Sequence, residues 1–157
     1  MKFEIISKYP DAKLPERATK GSAGYDFFVA ETTVIPAGMV GLVPTGVKAK
    51  IDDGYWLQLA VRSSTPRKKH VMLANGIGIV DSDYYNNPEN EGHIMFQLYN
   101  FGSSDTVILK GDRIGQGVFV PYGLTDNDNV ERIRTGGFGS TEKFKKELDN
   151  FFGMGKL

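Results

Sequence analysis

The chain predicts an all-β fold, a sandwich or barrel, and three observations carry that expectation. Short apolar stretches recur at Phe3-Ile6, Val40-Val43, Trp56-Val61, Val71-Leu73, Ile77-Val80, Ile94-Tyr99, Val107-Leu109 and Val118-Val120. Glycines from Gly21 to Gly123 punctuate them, as turns do between the strands of a sandwich or barrel. Only one stretch has a helical period, and it comes last. Phe144, Leu148, Phe151 and Phe152 fall on one helical face, Thr141 can cap it, Glu142 suits the positive end of its dipole, and Gly153 ends it.

Composition narrows the class further. A chain of 157 residues is expected to be one domain with a genuine core. Its 19 basic and 19 acidic residues cancel, so no net field draws it to nucleic acid or to a membrane surface. Cysteine is absent and only His70 and His93 offer imidazoles, which argues against disulfides, thiolate sites and a zinc centre. No apolar run reaches membrane-spanning length, and Glu4 interrupts the start of any signal peptide. The expectation is a soluble, intracellular, cytoplasmic protein.

Five clusters carry chemistry, taken in chain order. Ser22-Ala-Gly-Tyr-Asp26 reads as a small-residue turn with one acid. Arg62-Ser63-Ser64 ends a strand, where a guanidinium and hydroxyls hold a phosphate or simply form a basic turn with Arg67-Lys68-Lys69. Asp81-Ser-Asp83-Tyr84 follows Ile77-Val80. If the strand continues through it, both carboxylates point one way, to share a metal or activate water; a solvated turn is the alternative. Gly111-Asp-Arg-Ile-Gly-Gln116 turns into the Val118-Val120 strand, and Gln116 offers an amide to a ligand or to a backbone group. Last, Arg134-Thr-Gly-Gly-Phe-Gly-Ser-Thr141 combines glycines that allow close backbone approach with a planar cation, two hydroxyls and Phe138, a ring that can cover a base. A glycine-rich loop leading into a helix fits that octet equally well.

In this order the five clusters resemble the motifs of the trimeric dUTP diphosphatase (dUTPase) family. The third is read as Asn75-Gly-Ile-Gly-Ile-Val-Asp-Ser-Asp-Tyr84, and the likeness covers residues 1 to about 141. It implies a β-barrel or jelly roll of the β-clip kind, assembled as a homotrimer whose sites each draw on three subunits. It implies hydrolysis of dUTP to dUMP and pyrophosphate by water attack on the α-phosphorus. Asp81 would position that water and touch the 3′-hydroxyl, and Tyr84 would lie against the sugar and exclude a 2′-hydroxyl. Asn75 and the backbone of Gly78, Ile79, Val80 and Asp81 would line the uracil and sugar pocket, with Met95 beside it. Arg62, Ser63, Ser64 and Gln116 match phosphate-holding positions. Phe138 would stack on uracil, with Arg134, Gly139, Ser140 and Thr141 closing over the phosphates. Mg2+ would sit mainly on the triphosphate, with water between it and Asp26.

The resemblance divides the chain into a barrel over 1–123, a closing arm over 124–141 and a tail helix over 142–157. Four departures stand out. Ser64 replaces a usual Gly. Arg134 lies four residues before Phe138, where the common motif has five. The loop after Tyr84, Asn86-Glu91, is longer than usual and takes no family role. The tail Lys145-Lys-Glu-Leu148-Asp-Asn-Phe151-Phe152 resembles a sliding-clamp-binding box with Lys145 in place of Gln, against the alternative that it packs on the trimer. Among rival functions, a dCTP deaminase is disfavoured because Gln97 stands where that family has a Glu base. A non-catalytic nucleotide-binding regulator or clamp-tethered protein is the remaining alternative.

Overall fold

A computed structural model describes residues 1–132 and 134. Eleven strands run in chain order: β1 Lys2–Ile5, β2 Glu16–Arg17, β3 Tyr25–Phe28, β4 Thr33–Ile35, β5 Val40–Lys50, β6 Tyr55–Val61, β7 Val71–Leu73, β8 Gly78–Val80, β9 Ile94–Asn100, β10 Thr106–Ile108 and β11 Arg113–Pro121. They form a four-stranded sheet ordered β1-β5-β9-β7, a five-stranded sheet ordered β2-β3-β11-β6-β8, and the pair β10-β4. The registered pairs are antiparallel, as the all-β expectation requires.

Alternation explains how the sheets face each other. In β9, Ile94, Phe96, Leu98 and Asn100 point inward and are buried, while Met95, Gln97 and Tyr99 take the other face. Phe96 meets Phe27 of β3 edge-on, with ring centroids 5.7 Å apart, so an aromatic pair ties the two larger sheets together. Leu57, Ile35, Val43 and Ile114 fill the space around them. Asn100 is buried with its amide satisfied, donating to the Ile35 and Ser104 carbonyls at 2.9 Å each and accepting from the Gly102 N–H.

Several local expectations are corrected. Val40-Val43 is the start of an eleven-residue strand, which passes Pro44 and Gly46 because the pairing with β9 shifts register between Pro44 and Val47. The strand containing Val118-Val120 begins at Arg113, so Gln116 is a strand residue, and Tyr25-Asp26 likewise lie in β3. Arg67-Lys68-Lys69 belong to a short helix, α1 Thr65–Lys69, started by Pro66 at a position where a missing N–H costs nothing. Asp81 and Asp83 are not on a strand. Asp81 precedes a 3-10 turn, Ser82–Tyr84, that contains Asp83. The expected tail helix at 142–157 lies outside the described residues.

Candidate active site

Where β7 passes to β8, the loop 74–77 is pinned by Ala74 N–H to the Gln97 carbonyl (2.9 Å) and by Ile77 N–H to the Asn75 carbonyl (2.9 Å). This loop and the outward face of β9 enclose a cavity of about 310 Å³. Asn75, Gly78, Ile79, Val80, Asp81, Tyr84, Met95 and Arg134, all expected as site residues, line it. The walls also include His93 and Gln97, which motif reading did not assign to the site. Gln97 was legible in principle, being two residues from Met95 on a period-two strand and therefore on the same face. Among the described residues β8 is the edge of its sheet, bonded to β6 on one side only. An edge strand presents backbone donors and acceptors in a fixed row, suited to reading the rim of a flat base.

Polar groups converge at the mouth. Arg134 Nη2 reaches Asp81 Oδ2 at 2.6 Å and its Nε reaches Asp83 Oδ1 at 2.8 Å. The strand that would have aligned the two carboxylates is absent, yet the turn brings both to one guanidinium. The Tyr84 ring is buried, and its hydroxyl donates to the His93 carbonyl at 3.1 Å and accepts from Asn90 Nδ2 at 2.8 Å. Burial raises the Tyr84 pKa, keeping the phenol neutral. The His93 imidazole accepts the Gly46 N–H at 2.9 Å, and burial first, then the Lys8 charge, push its pKa down to about 4. At neutral pH it is an uncharged acceptor that shapes the wall.

Apart from Arg134, the described residues expected at the phosphates lie outside this cavity, in a second constellation. Asp26, buried in β3, is held by Arg62 Nε at 3.4 Å and by Arg113 Nη1 at 3.3 Å. Gln116 pairs with Asp26 across the β3–β11 ladder and leans over Gly24, where a Cβ would collide with its Oε1, so the motif's glycine makes room for the amide. Ser63 is exposed, and Ser64 caps α1 without a side-chain bond. Arg113 is the member that motif reading missed. Phe138, Gly139, Ser140 and Thr141 lie outside the described residues.

Register fixes the distance between the two constellations. Val80 pairs with Leu57 and Gly78 with Leu59, so Asp81 is level with Trp56, while Arg62 lies beyond the opposite end of β6. Six residues of strand separate those levels, about 20 Å. With Arg62 committed to Asp26, the two side chains of one chain do not meet at one phosphate.

Among the described residues no group of three or more His, Cys, Asp or Glu side chains could hold a metal, and no helix is long and apolar enough to cross a membrane.

Comparison with known proteins identifies the family. The dUTPase family model matches residues 10–142. The deoxyuridine 5'-triphosphate nucleotidohydrolase of Lactococcus lactis subsp. lactis (strain IL1403) is 50% identical over 143 residues, covering 88% of this chain and 95% of its own. The crystal structure of dUTPase from Streptococcus mutans superposes with a TM-score of 0.79 at 51% identity, covering 81% of this chain and 100% of that one. A mutant dUTPase from phage phi11 of S. aureus, described as coordinating a structural Mg(II) ion, shares the fold at 23% identity and a TM-score of 0.68, covering 84% of this chain and 98% of that one. With the third motif and Arg134 lining one cavity and matches of this extent, the chain belongs to the dUTPase family.

Proposed function

We infer that the protein hydrolyses dUTP to dUMP and pyrophosphate, and the observation that carries this is Asp81 at the mouth of a cavity walled by an edge strand and Tyr84. The uracil lies against the Gly78–Val80 backbone, beside Asn75 and Met95. The sugar rests on the Tyr84 ring, whose hydroxyl is tied back into the protein, and crowding by that ring rejects a 2′-hydroxyl. Asp81 takes a proton from water as its oxygen bonds to the α-phosphorus, and the bond to the bridging oxygen breaks to release pyrophosphate. Arg134 sits on Asp81 and Asp83; the incoming triphosphate draws this guanidinium from the carboxylates onto phosphate oxygens. Phe138, Gly139, Ser140 and Thr141 complete the closure of the arm, 124–141, over the barrel, 1–123. Gln97 is an amide and cannot act as the base of a deaminase.

The separation of Asp81 from Arg62 supports a site shared between copies. One subunit supplies the cavity and Asp81, another supplies Arg62, Ser63, Ser64 and Gln116 to the phosphates, and the assembly is a homotrimer. Mg2+ would ride on the triphosphate and meet Asp26 only through water, once the incoming phosphates draw Arg62 off that carboxylate. Bound there, it would supply charge neutralisation on the triphosphate. Pyrophosphate release from dUTP, UTP, dTTP and dCTP with Mg2+ tests the reading. Turnover of dUTP well above the other three is expected, and turnover of none refutes it.

The tail, 142–157, is proposed to serve a sliding clamp through Lys145-Phe152, on the strength of its Leu148, Phe151, Phe152 spacing. Ending the chain after Lys143 should abolish clamp binding and leave hydrolysis and Tm unchanged. A fall in Tm of several degrees, with no clamp binding by the intact chain, would show that the tail packs on the body instead.

A further inference from the structure

The loop after Tyr84, residues 85–92, has no part in the reading above, yet it is closed on itself and tied to Glu4, Ser7 and Lys48. Within it, Asn87 N–H donates to the Tyr84 carbonyl (3.2 Å), Glu91 N–H to the Asn87 carbonyl (2.7 Å) and Asn86 N–H to the Glu91 carbonyl (3.2 Å). From outside, Lys48 Nζ donates to Asn86 Oδ1 at 2.7 Å, the Glu91 carboxylate accepts from the Ser7 hydroxyl, and Tyr85 donates to Glu4 at 2.5 Å. Gly92 adopts φ +79°, and a Cβ there would collide with the Tyr84 carbonyl oxygen, so the loop returns flat against the backbone of Tyr84.

One side chain of this loop reaches the site. Asn90 Oδ1 accepts the Gly92 N–H at 3.0 Å, which turns its Nδ2 toward Tyr84, where it donates to the hydroxyl at 2.8 Å. The His93 carbonyl accepts from the same hydroxyl. The phenol oxygen is thereby fixed by a donor from the loop and an acceptor from the start of β9, and the ring it carries lines the cavity. A ring that rejects a hydroxyl by crowding works only while it is held still, because a small tilt admits the extra oxygen.

We propose that Asn90 is a positioning residue that locks the Tyr84 ring and thereby sharpens discrimination between deoxyribose and ribose. This role rests on the dUTP hydrolase reading of the same cavity. The structure assigns the loop's other contacts to holding Asn90 in place.

The test is a double-mutant cycle on the full chain, reading the ratio of kcat/KM for dUTP over UTP. In Asn90→Ala the ratio should fall about three- to tenfold, the scale of one lost hydrogen bond, chiefly through faster UTP turnover. In a Tyr84→Phe background, which lacks the hydroxyl, Asn90→Ala should change the ratio no further. If Asn90→Ala does not fold, Asn90→Asp decides, since it keeps an acceptor for Gly92 and lacks the amide donor. An unchanged ratio in a folded Asn90 variant overturns the proposal, as does an equal fall in both Tyr84 backgrounds. Wild-type protein that releases no pyrophosphate from dUTP refutes the hydrolase reading, and this role with it. Wild-type turnover with a ratio insensitive to Asn90 refutes the positioning role alone.

Discussion

If Asp81 and Arg62 of different subunits complete each site, two impaired variants should rescue one another. Asp81→Asn removes the base but keeps the shape, for a loss of roughly 10²–10⁴-fold. Arg62→Ala removes a charge-assisted phosphate contact worth roughly 1.5–3 kcal/mol, about 10- to 100-fold in kcat/KM. Asp26 keeps Arg113 at 3.3 Å, so the β3–β11 ladder should survive the second change. Equal amounts of the two variants, unfolded and refolded together, assemble at random. A site is intact when the subunit giving Asp81 is the arginine variant and the neighbour giving Arg62 is the aspartate variant. Each condition holds half the time, so about 25% of wild-type activity should return. Sites confined to single subunits would return none, because every chain carries one defect. The assay is pyrophosphate release from dUTP, with native mass spectrometry to count mixed trimers. Mixed trimers with activity no higher than the parents would refute the shared site and the reasoning from strand register behind it.

Other perturbations separate the roles further. Asp81→Asn should lower kcat while leaving dUTP binding close to normal by calorimetry, because the base and sugar contacts come from other groups. Tyr84→Ala should lower the dUTP/UTP ratio of kcat/KM and weaken binding together; an unchanged ratio would place ribose rejection elsewhere. Burial holds the His93 pKa at about 4 against an ordinary 6.5, so its stabilising effect is complete above pH 6.5 and is lost as pH falls from 6.5 to 4, when the unfolded chain takes up the proton first. The loss should be on the order of 2–3 kcal/mol by urea unfolding at pH 7 and pH 4.5, reduced in His93→Gln.

The parts of the fold that were legible in the sequence are those where one physical signal acts alone. β9 alternates buried and open residues without interruption, so its face toward the cavity followed from period two. Asp81 and Tyr84 line one cavity although the strand read through them is a 3-10 turn, with Asp81 just before it. Where signals conflict, the sequence misleads. β5 contains Pro44 and two glycines that read as breaks, and only pairing with β1 and β9 carries it through. β3 and β4 are too short to show a pattern and owe their existence to partners distant in the chain.

The bond from Asn90 to Tyr84 and the contact of Arg134 with two carboxylates join residues by chemistry that no spacing rule encodes. The resemblance implied sites that draw on three subunits, and strand direction supplies a physical reason to expect it. Asp81 follows β8 and Arg62 follows β6, and because these strands run antiparallel, their C-terminal ends point in opposite directions. Two residues that both sit at strand ends are thus sent to opposite rims of the same sheet. Those rims lie too far apart for side chains of one chain to meet at one phosphate, and the proposal of a site shared between copies rests on that separation.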